Sequence, residues 1–291
     1  MAHTMDFNGS SERGALAVIS DAQPKLNGAA KKVAHYILNV PQETINLSIT
    51  ELSERVGVSE ASIVRFAQLL GYSGFHALKI ELAYDIVSPM QLVHEDLAPD
   101  DDYVSAVLKA MTAGMRSLED TVRIMDPAVL GEAINALANA KCIILLASGN
   151  SIPLALDLDF RLTKIGLHSR FSIEPTMQEM KANLVTREDV ALGISHTGSS
   201  IDTVRALEMA QKRGATTVGI TNHSASPLAR CSDICLFTST RTSHFREEEM
   251  SSNLATLALT EALYVGLSVL LSDAAAEAVT KTMWATSHRK Y

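Results

Sequence analysis

Between Lys141 and Ser239, short apolar runs alternate with amphipathic stretches, and this alternation restricts the fold more than any other feature of the chain. KCIILLA (141–147), HSRFSI (168–173), VALGIS (190–195), ATTVGIT (215–221) and ICLFTS (234–239) read as strands. These runs are mainly aliphatic and β-branched, and they fit strands buried on both faces. SIPLALDLDFRLTKIG, TMQEMKANLV and IDTVRALEMAQKRG between them read as helices, and two further helices close the chain. Strands alternating with helices predict an α/β domain built on a five-stranded, mostly parallel sheet flanked by helices.

In such sheets ligands bind beyond the carboxyl ends of the strands. Two polar loops are expected there: Ser148-Gly149-Asn150-Ser151, and Ser195-His196-Thr197-Gly198-Ser199-Ser200. Each leads into a helix N-terminus, where backbone N–H groups and the helix dipole favour anions. Neither loop holds a lysine or arginine, so neutral donors would hold a monoanion or a phosphomonoester. GxGxxG and GxxxxGK[ST] are both missing, which disfavours a nucleotide. A second reading stands beside this one, since serines at helix starts often serve only as caps.

Residues 23–87 read as helical throughout. In LNGAAKKVAHYILN the apolar residues Ala29, Val33, Tyr36 and Ile37 fall at helical spacing, and Pro41 stops the helix. Ile49, Leu52 and Val56 mark a short helix that Gly57 breaks. Ser59 then caps a second, whose stripe is Ile63, Phe66, Ala67 and Leu70. Two short helices joined by a tight glycine turn form either a structural hairpin with a charged outer face or a helix-turn-helix, whose second helix enters the DNA major groove. Opposite the Ile63 stripe stand Ala61, Arg65 and Gln68, with Ser62 on the flank. Arg65 suits guanine or phosphate and Gln68 suits adenine. Ser59 and Ser62 lie where a helix N-terminus favours phosphate, and Lys79 completes the expected DNA-binding set. Over residues 23–79 six basic residues face four acidic ones. That leaves +2, in a chain of net charge −8. So weak a footprint implies a dimer reading two half-sites.

The domain organisation follows: a flexible N-terminus (1–19), the helix-turn-helix domain (20–87), a linker (88–103) and the α/β domain with its connecting helices (104–291). The linker SPMQLVHEDLAPDDDY carries two prolines and five acids. The start of the chain shows no apolar signal segment. The longest apolar segment, Leu254 to Leu271, approaches a membrane span in length. With Glu261 and three hydroxyl residues inside it, it reads as a helix buried in a core or subunit interface. Cys142, Cys231 and Cys235 read as buried reduced thiols of a cytosolic protein. The CxxxC spacing has no second pair, so no metal site is expected.

Both halves resemble one family, the RpiR-type bacterial transcription regulators, in which a helix-turn-helix domain precedes a sugar isomerase (SIS) domain. The likeness rests on VGVSEASIVRFAQLLGYSGFHALK (56–79) and on ISHTGSSIDTVRALEMAQKRGATTVGIT (194–221) with LASGNS before it. It implies phosphosugar binding between the two serine-rich loops. By motif position that places Asn150 and Ser151 from the first loop, with Ser148 beside them, and Ser195, Thr197 and Ser200 from the second, with His196 and Ser199 beside them. The family's second loop more often reads SxSGxT, and here Thr197 and Ser200 exchange the hydroxyl types. Ser199 stands where many SIS enzymes carry glutamate.

An isomerase needs a general base near the sugar carbons. His196, His223, His244 and Glu247-Glu248-Glu249 are the candidates, with the glutamate run equally suited to a helix N-terminus. A regulator needs only a ligand that binds its two states differently. The reading adopted is a cytoplasmic regulator of carbohydrate metabolism with no catalytic residue and no cofactor. Its partners are double-stranded operator DNA, a phosphosugar and further copies of itself, as a homodimer or tetramer through the SIS domain, and no membrane. The alternative is a sugar-phosphate isomerase or lyase with an appended helical segment.

Overall fold

The computed structural model describes residues 14–86, 101–239 and 250–289. The chain divides into two compact units, the first running to Ala110 and the second starting at Met111.

The first unit is helical. Its elements are α1 (Ala15–Ala22), α2 (Gly28–Asn39), α3 (Pro41–Thr44), α4 (Ile49–Val56), α5 (Glu60–Leu69) and α6 (Phe75–Ile86). One aliphatic core ties them together, with Ile19, Val33, Ile37, Leu52, Ile63, Phe66, Leu78 and Leu82 all buried. The flexible N-terminus expected up to residue 19 is corrected here. Ala15 and Ile19, one turn apart, put α1 into this core, and Asp85 accepts a hydrogen bond from the Leu16 amide at 2.8 Å. Pro41 does more than stop a helix, since it occupies the first turn of α3. Gly57 ends α4 with φ 69°, a left-handed turn that a side chain would strain. The expected linker 88–103 falls mostly outside the described residues, and α7 (Tyr103–Ile124) already begins at its end.

The second unit is α/β. After α8 (Pro127–Ala138) come β1 (Ile143–Ala147), α9 (Ile152–Lys164), β2 (Ser169–Arg170), α10 (Pro175–Asn183), β3 (Val190–Ile194), α11 (Ile201–Arg213), β4 (Thr216–Thr221), α12 (Pro227–Arg230), β5 (Ile234–Phe237) and α13 (Met250–Thr286). All five strands are parallel, in the order β2-β1-β3-β4-β5. Strand alternation builds two cores. Ile143 and Leu145 face the core shared with Leu158, Leu162, Leu263 and Leu267. Ile144 and Leu146 face the core of Ala206, Leu207, Ala210 and Leu228.

The apolar segment expected to be buried in a core or interface buries one face, while Val265, Val269 and Leu270 are exposed. Ala255, Leu259, Leu263 and Leu267 form a buried stripe of α13. The span Asn253–Ala285 is nonetheless long and apolar enough to cross a membrane by composition alone. Ser272, at φ 44° and ψ −111°, breaks α13 into the two closing helices expected from the sequence. Two details differ from expectation. Only Ser169 and Arg170 of HSRFSI pair as strand, and the loop NHSASPLARCS contains α12.

Candidate functional site

The order β2-β1-β3 places the topological switch point between β1 and β3, whose helices lie on opposite faces of the sheet. Both serine-rich loops leave the sheet there. Ser148 Oγ lies 3.2 Å from Thr203 Oγ1 in the first turn of α11, which ties the first loop to the second loop's helix. Ser195 Oγ lies 3.0 Å from Ser200 Oγ. Thr197 Oγ1 accepts the Ser199 amide at 3.1 Å and so shapes the loop from within. Ser195 and Thr197 are buried. Ser148, Ser151, His196, Ser199 and Ser200 are half-buried, and Asn150 is exposed.

The second loop is pinned from the neighbouring strand. His196 O accepts from Thr221 Oγ1 (3.0 Å) and from the Asn222 amide (2.9 Å). Gly198 has φ 63°, and a Cβ there would stand 2.1 Å from Ser226 Oγ, so only glycine fits. The Gly198 carbonyl accepts the Leu228 amide at 2.9 Å. The His196 and His223 rings meet edge to face at 5.9 Å. His244 and Glu247-Glu248-Glu249 lie outside the described residues. His168 precedes β2 at the opposite edge of the sheet, away from both loops.

The serines that begin the two helices do not cap them. Ser151 before α9 and Ser200 before α11 make no side-chain cap hydrogen bond, and neither does Ser148 before the intervening 3-10 turn Gly149–Ser151. The first N–H groups of a helix have no partner within it. At α11 those donors stand beside the Ser195–Ser200 hydroxyl pair, at a helix end that favours negative charge, whereas at α9 the Ile152 amide already donates to the Gly149 carbonyl and Pro153 has no N–H.

Two residues here were missed by the sequence reading. Gln178 of α10 is buried. Its Oε1 accepts the Ala147 amide at 3.0 Å, and its Nε2 donates to the carbonyls of Ala147 (2.7 Å) and Ser172 (2.8 Å). It therefore holds the last residue of β1, directly before the first loop. Thr203 is the other. Its only sequence signal was a hydroxyl one turn into a helix.

On the helical unit, Ala61, Arg65 and Gln68 are exposed along one side of α5, with Ser59 exposed at its start and Ser62 half-buried. Ser59 Oγ accepts the Ser62 amide at 3.3 Å, and Arg65 donates to Ser62 Oγ at 3.3 Å. Lys79 does not belong to this surface, and its expected DNA contact is withdrawn. It is 1% exposed, its Nζ donates to the Leu47 carbonyl at 3.2 Å and lies 5.9 Å from the Phe75 ring. Its charge is spent inside the helical core.

The cysteines are free thiols. Burial pushes Cys231 up to about 11 and Cys235 up to about 12, and among the described residues no group of His, Cys, Asp and Glu could hold a metal.

The fold and site define a two-domain protein that joins a helix-turn-helix to an α/β domain with two serine-rich loops at its switch point. Residues 13–89 match the rpiR-family helix-turn-helix domain, and residues 136–266 match the SIS domain. An HTH-type transcriptional regulator of Thermotoga maritima is 31% identical over 94% of this chain and 98% of its own length. HexR of Pseudomonas aeruginosa, an HTH-type transcriptional regulator, is 33% identical over 76% of this chain and 77% of its own. The fold is that of Vibrio vulnificus NanR complexed with ManNAc-6P, at TM-score 0.77 and 22% identity over 95% of this chain and 99% of that one. The chain belongs to the rpiR family of HTH-type transcriptional regulators with a SIS domain.

Proposed function

We propose that the α/β domain holds the phosphate of a phosphosugar between its two serine-rich loops, and that this binding controls how α5 reads operator DNA. The donors would be the first-turn amides of α11 with Ser148, Asn150, Ser151, Ser199 and Ser200, since in α9 the Ile152 amide already donates to the Gly149 carbonyl and Pro153 has no N–H. Ser195 and Thr197 shape the second loop, and His196 borders it. The observation that carries this reading is that Ser151 and Ser200 leave their helices uncapped. A serine present only to cap would bond its own helix. That HexR is a regulator and that NanR was solved with a phosphosugar point the same way.

On the DNA side, Ser59, Ala61, Ser62, Arg65 and Gln68 are the proposed contacts. The protein works in the cytoplasm as a homodimer or tetramer through the SIS domain, with paired α5 helices on half-sites about 34 Å apart or multiples of that. It performs no chemistry on the sugar, because a switch requires only differential affinity. The test is fluorescence anisotropy of labelled DNA from upstream of its own operon, at fixed salt, against a panel of phosphosugars. Saturable, competitor-resistant binding that one phosphosugar alters is the expected result. No specific binding, combined with turnover of a panel member, would favour an isomerase acting through the His196–His223 pair.

A further inference from the structure

At the opposite edge of the sheet, a cavity of about 520 Å³ opens beside β2. It stands where β1 and β3 begin, because Lys141 and Cys142 precede β1 and Asp189 precedes β3. The five residues of β1 separate it from the first serine loop by about 16 Å at 3.3 Å per residue. Its size lies within the range of ordinary ligand pockets, about 300–1,000 Å³.

Its charged lining is mostly basic. Lys141, His168, Arg170 and Lys181 face one carboxylate, that of Asp189. Asp189 is already engaged, since its Oδ2 accepts from the Thr186 amide (2.8 Å) and the Thr186 hydroxyl (2.9 Å). Lys141 pairs with Glu188 at 3.0 Å, at an exposed position. Lys181 Nζ donates to the Phe171 carbonyl (3.0 Å) and to Ser172 Oγ (2.6 Å), two neutral acceptors that leave its charge uncompensated. Arg170 and His168 form no side-chain hydrogen bond or ion pair with any described residue. The charges are felt inside the cavity. Burial raises the Cys142 thiol, Arg170 and Lys181 pull it down, and the carboxylates of Asp189 and Asp159 push it up again.

We infer that this cavity is a second anion site, distinct from the serine loops, in which Arg170 and Lys181 take a small phosphate- or carboxylate-bearing metabolite. The contrast with the first site is chemical. The serine loops offer neutral donors and a helix end, whereas this cavity offers a guanidinium fork suited to two oxygens of one anion. Lys141 and His168 widen the positive rim. Ile144 and Val185 supply an apolar floor that excludes water from one side of the guest and strengthens the charge interaction.

Cys142, a half-buried thiol in the lining, is a local reporter. The full-length protein is treated with N-ethylmaleimide in the presence of inorganic phosphate, with chloride at equal ionic strength as control, and labelling is read peptide by peptide. Phosphate should slow labelling of Cys142 and leave Cys231 and Cys235 unaffected. Protection should persist in Ser195→Ala/Thr197→Ala, which separates this site from the serine loops. Arg170→Ala, a change at an exposed side chain, should raise the phosphate concentration needed about ten- to a hundredfold, the value of one charge-assisted contact. Three results would each overturn the inference. One is no protection up to roughly 20 mM phosphate, where a site with a dissociation constant of about 1 mM would be nearly full. Another is protection lost in the serine-loop variant. The third is protection unchanged in Arg170→Ala.

Discussion

Among the serines that begin α-helices in the described residues, Ser48, Ser59 and Ser226 cap theirs, and Ser151 and Ser200 do not. In the helical unit, Ser48 accepts the Glu51 amide at 3.2 Å while the Glu51 carboxylate accepts the Ser48 amide at 2.8 Å, a complete capping box. Ser59 accepts the Ser62 amide in the same manner. In the α/β unit, Ser151 has a helical backbone (φ −81°, ψ −12°) that cannot present its oxygen to the helix end. Ser200 has the extended backbone a cap requires, yet its hydroxyl turns to Ser195. The pair in the helical unit caps its helices, and Ser151 and Ser200 supply no cap. Residue type at a helix start therefore does not reveal its role. What decides is which donor the hydroxyl meets.

The comparison can be broken hardest at Gly198. Gly198→Ala places a side chain in the left-handed region, costing about 1–2 kcal/mol from the backbone alone, and the collision with Ser226 adds to that. Differential scanning calorimetry should show a lower Tm and no stabilisation by phosphosugar. An unshifted Tm would mean that the loop tolerates another path. Arg65→Ala tests whether the two halves are separable. Operator affinity should fall by about 1–3 kcal/mol, the worth of one bidentate base contact, while Tm and the ligand shift stay as they are. An unchanged anisotropy curve would remove α5 from the DNA interface.

Lys79→Met asks whether charge in the helical unit is structural. The Leu47 carbonyl loses its donor, so the expected cost is about 1–3 kcal/mol of stability. Operator binding of the folded variant should persist, and a large affinity loss at unchanged Tm would return Lys79 to the DNA surface. The smallest effect sharpens the contrast most. Ser59→Ala should lower stability by about 1 kcal/mol, as loss of a cap does. Ser200→Ala should cost less stability yet reduce the phosphosugar-induced rise in Tm. Equal behaviour of the two variants would dissolve the distinction.

The sequence disclosed what depends on periodicity. Gly57 and Ser59 marked the turn, Ile63 and Phe66 marked the buried stripe, and the aliphatic runs marked five parallel strands. It misled where a tertiary partner decides the outcome. Lys79 looked like one more surface cation because nothing local announces the Leu47 carbonyl, although Phe75 stands one turn earlier on α6. HSRFSI looked like a full strand, but the Phe171 and Ser172 carbonyls turn to Lys181 and Gln178, and pairing stops at Arg170. α1 was legible in Ala15 and Ile19 one turn apart, where the expectation was a flexible N-terminus. The site loops were visible as glycine and hydroxyl clusters, whereas Gln178 sat in a helix of ordinary composition.

That glutamine has a further consequence. β2 ends after two residues, so the Ala147 backbone has no strand beside it on that side, and the Gln178 amide stands in for the missing peptide unit by taking both its N–H and its C=O. Exchange of the Ala147 amide hydrogen with solvent is thereby tied to the undocking of α10, and much less to the opening of the sheet. In a hydrogen-exchange experiment this one amide would act as a clock for α10, keeping time apart from its neighbours in β1.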